Sequence, residues 1–509
     1  MTVVEGPAWS VRGLIQHGSR YPLKVESAVQ RPAGLLLPGV STASELVRYF
    51  ALYAALAAYA DERGMDADGC RELVRRSEVV MAGASMPEGH EPGDRGVSAH
   101  GADGVRPWLG EGLDVHGAVS MGDEQHSYSP RKWGFWETYG GPSLVLGTVT
   151  RDGGAFRGGR HRCPEVVCAF FGPLFAASAR DRLTLAELEA LRPVGVIGDG
   201  KPENPWLLGL FTATRDGMHE ANDWLPDDRQ RRATMRILGR TTVLHGADVE
   251  LTWTEAVEST VAFGDALETD PVLATVKEAE SWRGLLLRNY SVSAWRRLWA
   301  GLVTFIGAAD DHEDRSPEEL QAWLADQMPD MTVGAFMEGE LPLTMAGRHP
   351  APAERIVLGD GSEGPLTDVK VLLLGARRAG ELTGEARTVF LGHHNEILNP
   401  VWMSGCVREF RDRPVRDLAV RLVNDMLAQA NRVALDKMEP DASGRLQVYS
   451  RVFERNGRYY KTGDEGDGAL GTRLEVIAGI AGQLGLIDVT AEGAATLTDL
   501  GYAVLEAGP

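Results

Sequence analysis

Apolar residues recur at helical spacing along most of this chain. Leu46, Tyr49, Phe50, Tyr53, Leu56 and Ala57 fall three and four apart, which predicts a helix over residues 43–63. The Pro38-Gly39 turn precedes it, and Thr42 with Glu45 stands at capping-box spacing. Gly64 is a natural stop, and Leu73, Val79, Val80 and Met81 predict a second helix over 66–84, completing a helical hairpin. Further helical patterns cover 165–179, 185–191 (with a Thr184/Glu187 capping box), 227–238, 254–267, 274–306 and 415–435. Ser316-Pro317-Glu318-Glu319 opens another helix, with serine as N-cap, proline in the first turn and acids at the positive end of the dipole. Strand patterns are short: 143–149 after Gly140-Gly141-Pro142, the apolar run 369–374, and an alternation over 445–460 around Asn456-Gly457, a strong hairpin signal. The expected fold is mainly α with minor β hairpins.

The last forty or so residues carry a further pattern. Residues 472–484 read as an amphipathic helix ending at Gly485, two strand-like pieces follow at 486–490 and 494–498, and 499–506 closes as a helix. This order resembles winged-helix modules. A DNA-reading module of that kind needs Arg or Lys on its recognition helix and wing, because phosphate neutralisation supplies most of the affinity. From Thr472 onward the only basic residue is Arg473, set against Glu475, Asp488, Glu492, Asp499 and Glu506. The expectation is a module that contacts protein.

At 509 residues the chain exceeds one compact core. Composition shifts suggest five consecutive segments: a helical 1–122, an aromatic and Gly-rich 123–185, a helical 186–347, a connector with a strand at 348–400, and a winged-helix region at 401–509. The formal charge of −20 argues against non-specific coating of nucleic acid and against an anionic membrane surface, while allowing a local basic groove. Four scattered cysteines, no basic-then-apolar leader and no long apolar run point to the cytoplasm and to no membrane association. There are 45 arginines and seven lysines, a skew expected of a GC-rich bacterial genome.

"LLLPGVSTASELVRYFALY" (35–53) resembles a large uncharacterised bacterial family with a Leu-Pro-Gly-x-Ser/Thr-Thr step before an Arg-Tyr-Phe helix, and "WGFWETYGGPSLVLG" (133–147) resembles a second block of such proteins. The family is often encoded in anti-phage defence clusters. The resemblance implies a non-catalytic scaffold or adaptor subunit of a nucleic-acid-processing assembly, with a helicase or nuclease as protein partner. It supplies no catalytic residue.

The chemistry-bearing motifs are sparse. No P-loop, zincin or nucleophile-elbow motif is present, and no cofactor is implied. His161, Cys163 and Cys168 offer soft metal ligands, but no second cysteine pair completes a zinc set, and Cys168 lies in an apolar run. Asp360, Asp368 and Lys370 form a weak alternative catalytic set for a metal-dependent nuclease, two carboxylates and a lysine beside a strand. His393 and His394 with Glu396 offer a base and its orienter, against the plainer reading of a polar loop. The acidic run 310–314 lacks the glycine turn of a calcium loop and reads as a solvated linker. Lys132, Trp133 and Trp136 interleave cations with rings in the way single strands are held, although such clusters more often pack a core. Arg451, Arg455, Arg458 and Lys461 cluster on the 445–460 hairpin with Glu454 as their local counter-charge, and are the expected phosphate contacts. A winged-helix transcriptional regulator is the remaining alternative, and it would depend on Arg473.

Overall fold

Helices dominate the computed structural model, which describes residues 21–86, 98–120, 127–196, 198, 200–307, 314–359, 364–393, 396–440 and 446–508. The strands among these residues pair only as two-stranded antiparallel sheets. Among the described residues, no helix is long and apolar enough to cross a membrane. The chain forms two compact units: an amino-terminal unit of Gly34–Thr254 with Arg473–Pro509, and a central unit of Met1–Ala33 with Glu255–Thr472. Each is discontinuous in sequence, whereas the five segments expected from composition are consecutive.

The amino-terminal unit is built on the predicted helical hairpin, Val47–Glu62 and Ala67–Ala84. Asp66 caps the second helix by accepting from Gly69 N. Thr42 and Glu45, however, do not cap the first. It starts at Val47, and tertiary partners meet its early N–H groups: Leu46 N donates to Tyr139 Oη and Val47 N to Gln483 Oε1. A buried helix start needs donors satisfied by whatever surrounds it, so the local box is superseded here.

Two strand expectations are corrected. Residues 143–148 do not form a strand, which begins only at Val149; Trp136–Leu146 is a helix that runs through Gly140-Gly141-Pro142 and ends at Gly147, whose φ of 77° gives the left-handed cap. Gly140 is required there because a Cβ would sit 2.8 Å from the Trp136 ring one turn earlier. Residues 369–374 likewise lie inside a helix, Pro365–Glu381, opened by Pro365 at its first turn. This helix buries nearly every side of its middle turns, so its apolar run lacks the stripe that would distinguish it from a buried strand. The expected connector also holds helices Ala353–Leu358 and Gly384–Leu391.

Other expectations match the structure. Capping boxes form at Thr184/Glu187 and Ser316/Glu319. The long central helix spans Glu278–Phe305, and Asn456-Gly457 turns the hairpin Val452–Arg455/Arg458–Lys461 with both turn residues at positive φ. At the carboxyl end, helix Leu474–Gln483, the strand pair Ile487–Val489/Ala495–Leu497 and helix Asp499–Leu505 follow the predicted order.

Candidate functional site

The carboxyl-terminal elements are stapled to helix Pro226–His245 of the same unit. Arg232, Arg236 and Arg240, spaced one turn apart, donate to the carbonyls of Val504, Leu505 and Ala507 respectively. These are last-turn and following acceptors that the short helix Asp499–Leu505 cannot satisfy internally, and cations suit that negative end. Ala495 N donates to Gly246 O at 2.6 Å, and a Cβ on Gly246 would meet Ala495 O at 2.1 Å, so glycine permits this close approach.

Helix Leu474–Gln483 has little free surface. Leu474, Val476, Ile477, Ala478, Ile480 and Ala481 are buried, Gln483 Nε2 donates to Glu45 O, and Glu475 accepts from Thr254 N. Arg473 donates Nη1 to Val40 O at 2.6 Å and covers Gly34. The one cation of the region is thus turned into its own unit, away from any phosphate.

What faces solvent instead is the hairpin tip. Val489 is 57% exposed and leads into the turn closed by Gly493 N donating to Thr490 O; Val249, 51% exposed, lies against Gly493. Asp248, Glu250, Asp488 and Glu492, in the same two segments, are exposed as well. Leu500 and Tyr502, at 45% and 41% exposure, project from the final helix. No lysine or arginine occurs between residues 241 and 254 or after 473, so the charged side chains of these two segments are all acidic apart from His245.

The residues expected to touch nucleic acid are largely engaged elsewhere. Arg458 pairs with Asp314 Oδ1 at 2.8 Å and Glu319 Oε2 at 3.0 Å. Lys461 pairs with Asp464 at 2.8 Å, and Arg451 donates to Asp464 O and faces Glu465 at 3.6 Å. Arg455 is exposed with its guanidinium over the Tyr460 ring. Three of the four hairpin cations thus face acids, Arg458 those of a distant segment and Lys461 and Arg451 those just beyond the hairpin, while Arg455 lies on an aromatic ring. Trp136 is fully buried, packed edge-on against Tyr53 and tilted onto Phe156, and cannot stack on a base. Trp133 is half-buried and stacked on Phe156 with Arg151 above it, while Lys132 is exposed.

The alternative catalytic set does not assemble. Asp360 lies outside the described residues, as do His394 and residues 310–313. Asp368 and Lys370 sit two apart on a helix, which directs them to nearly opposite faces. Asp368 is buried against Arg297 Nη2 at 2.6 Å, and burial pushes its carboxyl up to about 6 despite that partner. His393 Nε2 is 3.0 Å from Arg31 Nη1. The Cys163 and Cys168 thiols interact with each other, which raises Cys163 and lowers Cys168, while His161 packs on Trp224. Among the described residues, no group of three or more His, Cys, Asp or Glu is placed to hold a metal ion.

The structure also reveals a buried carboxylate centre that the sequence reading missed. Glu78, on helix Ala67–Ala84, accepts from Tyr53 Oη and Trp136 N through Oε1, and from Tyr128 Oη and Phe135 N through Oε2, at 2.6–3.0 Å. It thereby caps the start of helix Trp136–Leu146 from another element. Gly134, at φ 58°, is required beside it: a Cβ there would lie 2.1 Å from Glu78 Oε2. The available signal was an acid placed one turn after Val74 and beside Met81 on the helix's apolar side.

No family model, curated protein or solved structure matches this chain.

Proposed function

We propose that this protein is a non-catalytic adaptor of a nucleic-acid-processing assembly, and that its carboxyl-terminal elements are a winged-helix module used for protein contact. One observation carries the reading: the hairpin exposes Val489, with exposed Val249 against its Gly493 and only acids as charged neighbours in these two segments, while the module's single arginine is bound inward. Apolar centres with polar rims are the anatomy of protein interfaces, and the rim's charge selects a basic partner. The burial of helix Leu474–Gln483 and the absence of cations on the wing disfavour a regulator that reads DNA. The helicase or nuclease partner follows from the defence-cluster resemblance of residues 35–53 and 133–147.

The test is affinity capture of a helicase or nuclease encoded by a neighbouring gene, using wild-type protein and the pair Val489→Asp/Val249→Asp. Both positions are exposed, so circular dichroism of the variant should be unchanged. Loss of an apolar hot spot predicts at least about thirtyfold weaker binding, and binding that weakens further with salt. A complex of unchanged affinity would place the interface elsewhere, and no complex with either enzyme would remove the adaptor reading. The paired hairpin cations give a second expectation: Arg458→Ala and Lys461→Ala should leave the salt slope of any nucleic-acid binding unaltered, measured by fluorescence anisotropy.

A further inference from the structure

Helix Glu165–Ser178 begins after Pro164, which stands at its N-cap with no side chain able to accept a hydrogen bond. The residue before an N-cap and the fourth residue of the helix face each other across the first turn. Apolar side chains at these two places often pack together and fix the angle at which the chain arrives. In this helix both places are cysteine: Cys163 precedes the cap and Cys168 is the fourth helical residue. Their contact forms. Cys168 Sγ lies 3.9 Å from Cys163 O, and the two thiols are hydrogen-bonded to each other. The segment that delivers Cys163 is fixed, with Gly159 N donating to Thr148 O at 3.2 Å and His161 N to Gly147 O at 2.9 Å. On the other side Cys168 N donates to Pro164 O at 3.0 Å. Main-chain hydrogen bonds on both sides thus hold the two sulfurs together.

The pair lies at the solvent edge of the helix. Val167, Phe171, Leu174 and Phe175 form its buried side, whereas Glu165, Val166 and Ala169 are exposed and both cysteines are partly exposed. His161, the nearest soft ligand in sequence, packs on Trp224, and its Nε2 is engaged by Arg160 Nε at 3.2 Å. Two thiols alone do not make a zinc site. The chemistry open to a close dithiol is two-electron exchange with a disulfide. The two sulfurs are not equivalent. The hydrogen bond from the Cys163 thiol lowers Cys168, against burial and the charges of Glu62 and Glu165, and the same bond together with burial raises Cys163. Cys168 is therefore the sulfur nearer to thiolate, the attacking form, and the first turn of a helix also favours negative charge. Only four residues separate the two cysteines, so the second thiol stands beside the first at little cost in chain entropy.

We propose that Cys163 and Cys168 form a dithiol–disulfide exchange site for small disulfides of the glutathione class. Cys168 Sγ attacks one sulfur of the oxidant; that S–S bond breaks, a mixed disulfide forms on Cys168, and the released thiolate takes up a proton. Cys163 then gives its proton to solvent, attacks Cys168 Sγ and expels the second thiolate, which is protonated in turn. One small disulfide is reduced to two thiols while the two cysteines are oxidised to a disulfide, and excess thiol reverses both steps. Oxidation turns the packed contact at the start of helix Glu165–Ser178 into a covalent clamp between the helix and the segment before it. The site does not rest on the adaptor reading and uses no residue of the hairpin tip.

The experiment uses the full chain, first reduced, then exposed to glutathione disulfide and quenched with acid and an alkylating reagent. Trypsin releases both cysteines in one peptide, Cys163–Arg180, so an internal disulfide shows in the mass spectrum as a peptide two hydrogens lighter than the dithiol and closed to alkylation. This form is expected to accumulate in the wild type and to revert in excess reduced glutathione, while the buried Cys70 and Cys406 stay reduced. Cys163→Ser should trap the glutathione mixed disulfide on Cys168, and Cys168→Ser should slow the first modification of the peptide by at least about tenfold. The wild-type measurement needs no variant, so it decides the matter should either serine variant fail to fold. A wild-type peptide that remains a dithiol in excess glutathione disulfide would overturn the proposal, as would a mixed disulfide that persists in the wild type. Capture of glutathione by Cys163 in Cys168→Ser at the wild-type rate would overturn the role given to Cys168.

Discussion

Replacing Glu78 with alanine is expected to destabilise the amino-terminal unit by about 3–5 kcal/mol, the range for leaving buried charged-group partners unsatisfied. The side chain is fully buried and serves two tyrosine hydroxyls and two main-chain N–H groups at once. Its removal orphans the N–H groups of Phe135 and Trp136, the N-cap and first residue of helix Trp136–Leu146, and opens a hole beside Trp136. Glutamine is not a neutral substitute. Each carboxylate oxygen accepts from one main-chain N–H, so either orientation of the amide would set an NH₂ against a donor that cannot rotate away. Burial pushes the Glu78 carboxyl up to about 7, with the four donors holding it below where burial alone would take it. The folded protein thus favours the protonated form relative to the unfolded chain. The stabilisation linked to this proton is complete below about pH 4.5 and is lost as pH rises through about 7, a change on the order of 3 kcal/mol. Denaturant unfolding followed by aromatic fluorescence across that window should show wild-type stability falling with pH and Glu78→Gln lacking this component. Parallel pH profiles would assign the proton elsewhere.

Glu78 also marks where legibility from sequence ends. Helices with a clear apolar stripe and a local stop, such as Ala67–Ala84, Pro317–Ala325 and Val415–Asp436, are readable because the information lies within a few turns. Trp136–Leu146 was not, because Gly-Gly-Pro carries a strong turn signal that the tertiary cap from Glu78 overrides. Charge pairing was the least legible property. The hairpin cation Arg458 meets Asp314 across 144 positions of chain, so its neutralisation is invisible to any local count.

The arginine excess acquires a structural meaning in addition to its compositional one. Arg48, Arg75, Arg231, Arg232 and Arg378 are at most 4% exposed, and each donates to main-chain carbonyls from distant segments. A guanidinium has five donors in one plane and can satisfy several loop carbonyls together; an ammonium presents a compact, more strongly hydrated charge. Irregular segments between short helices leave many such carbonyls, and these arginines hold them. Lysine at these positions would keep the charge while losing the geometry.

Arg378 and Glu354 give the sharpest test of that role. Both side chains are at most 2% exposed, and the pair is bidentate at 2.5 and 2.6 Å, with Arg378 donating further to Thr344 O and Ala351 O. Glu354→Ala leaves a buried guanidinium without its counter-ion, and Arg378→Ala leaves a buried carboxylate and two carbonyls, so each single change is expected to destabilise the central unit by about 3–5 kcal/mol. The double replacement Glu354→Leu/Arg378→Met removes both charges and keeps apolar volume. Buried pairs exchanged whole for apolar residues are often close to neutral, and here the two abandoned carbonyls set a residual loss of about 1–3 kcal/mol. The double variant should therefore be more stable than either single alanine variant, measured by urea unfolding of the full chain. Additive losses would mean that the two residues act through their separate carbonyl and packing contacts. In that case the salt bridge would be incidental to the guanidinium's hold on Thr344 and Ala351.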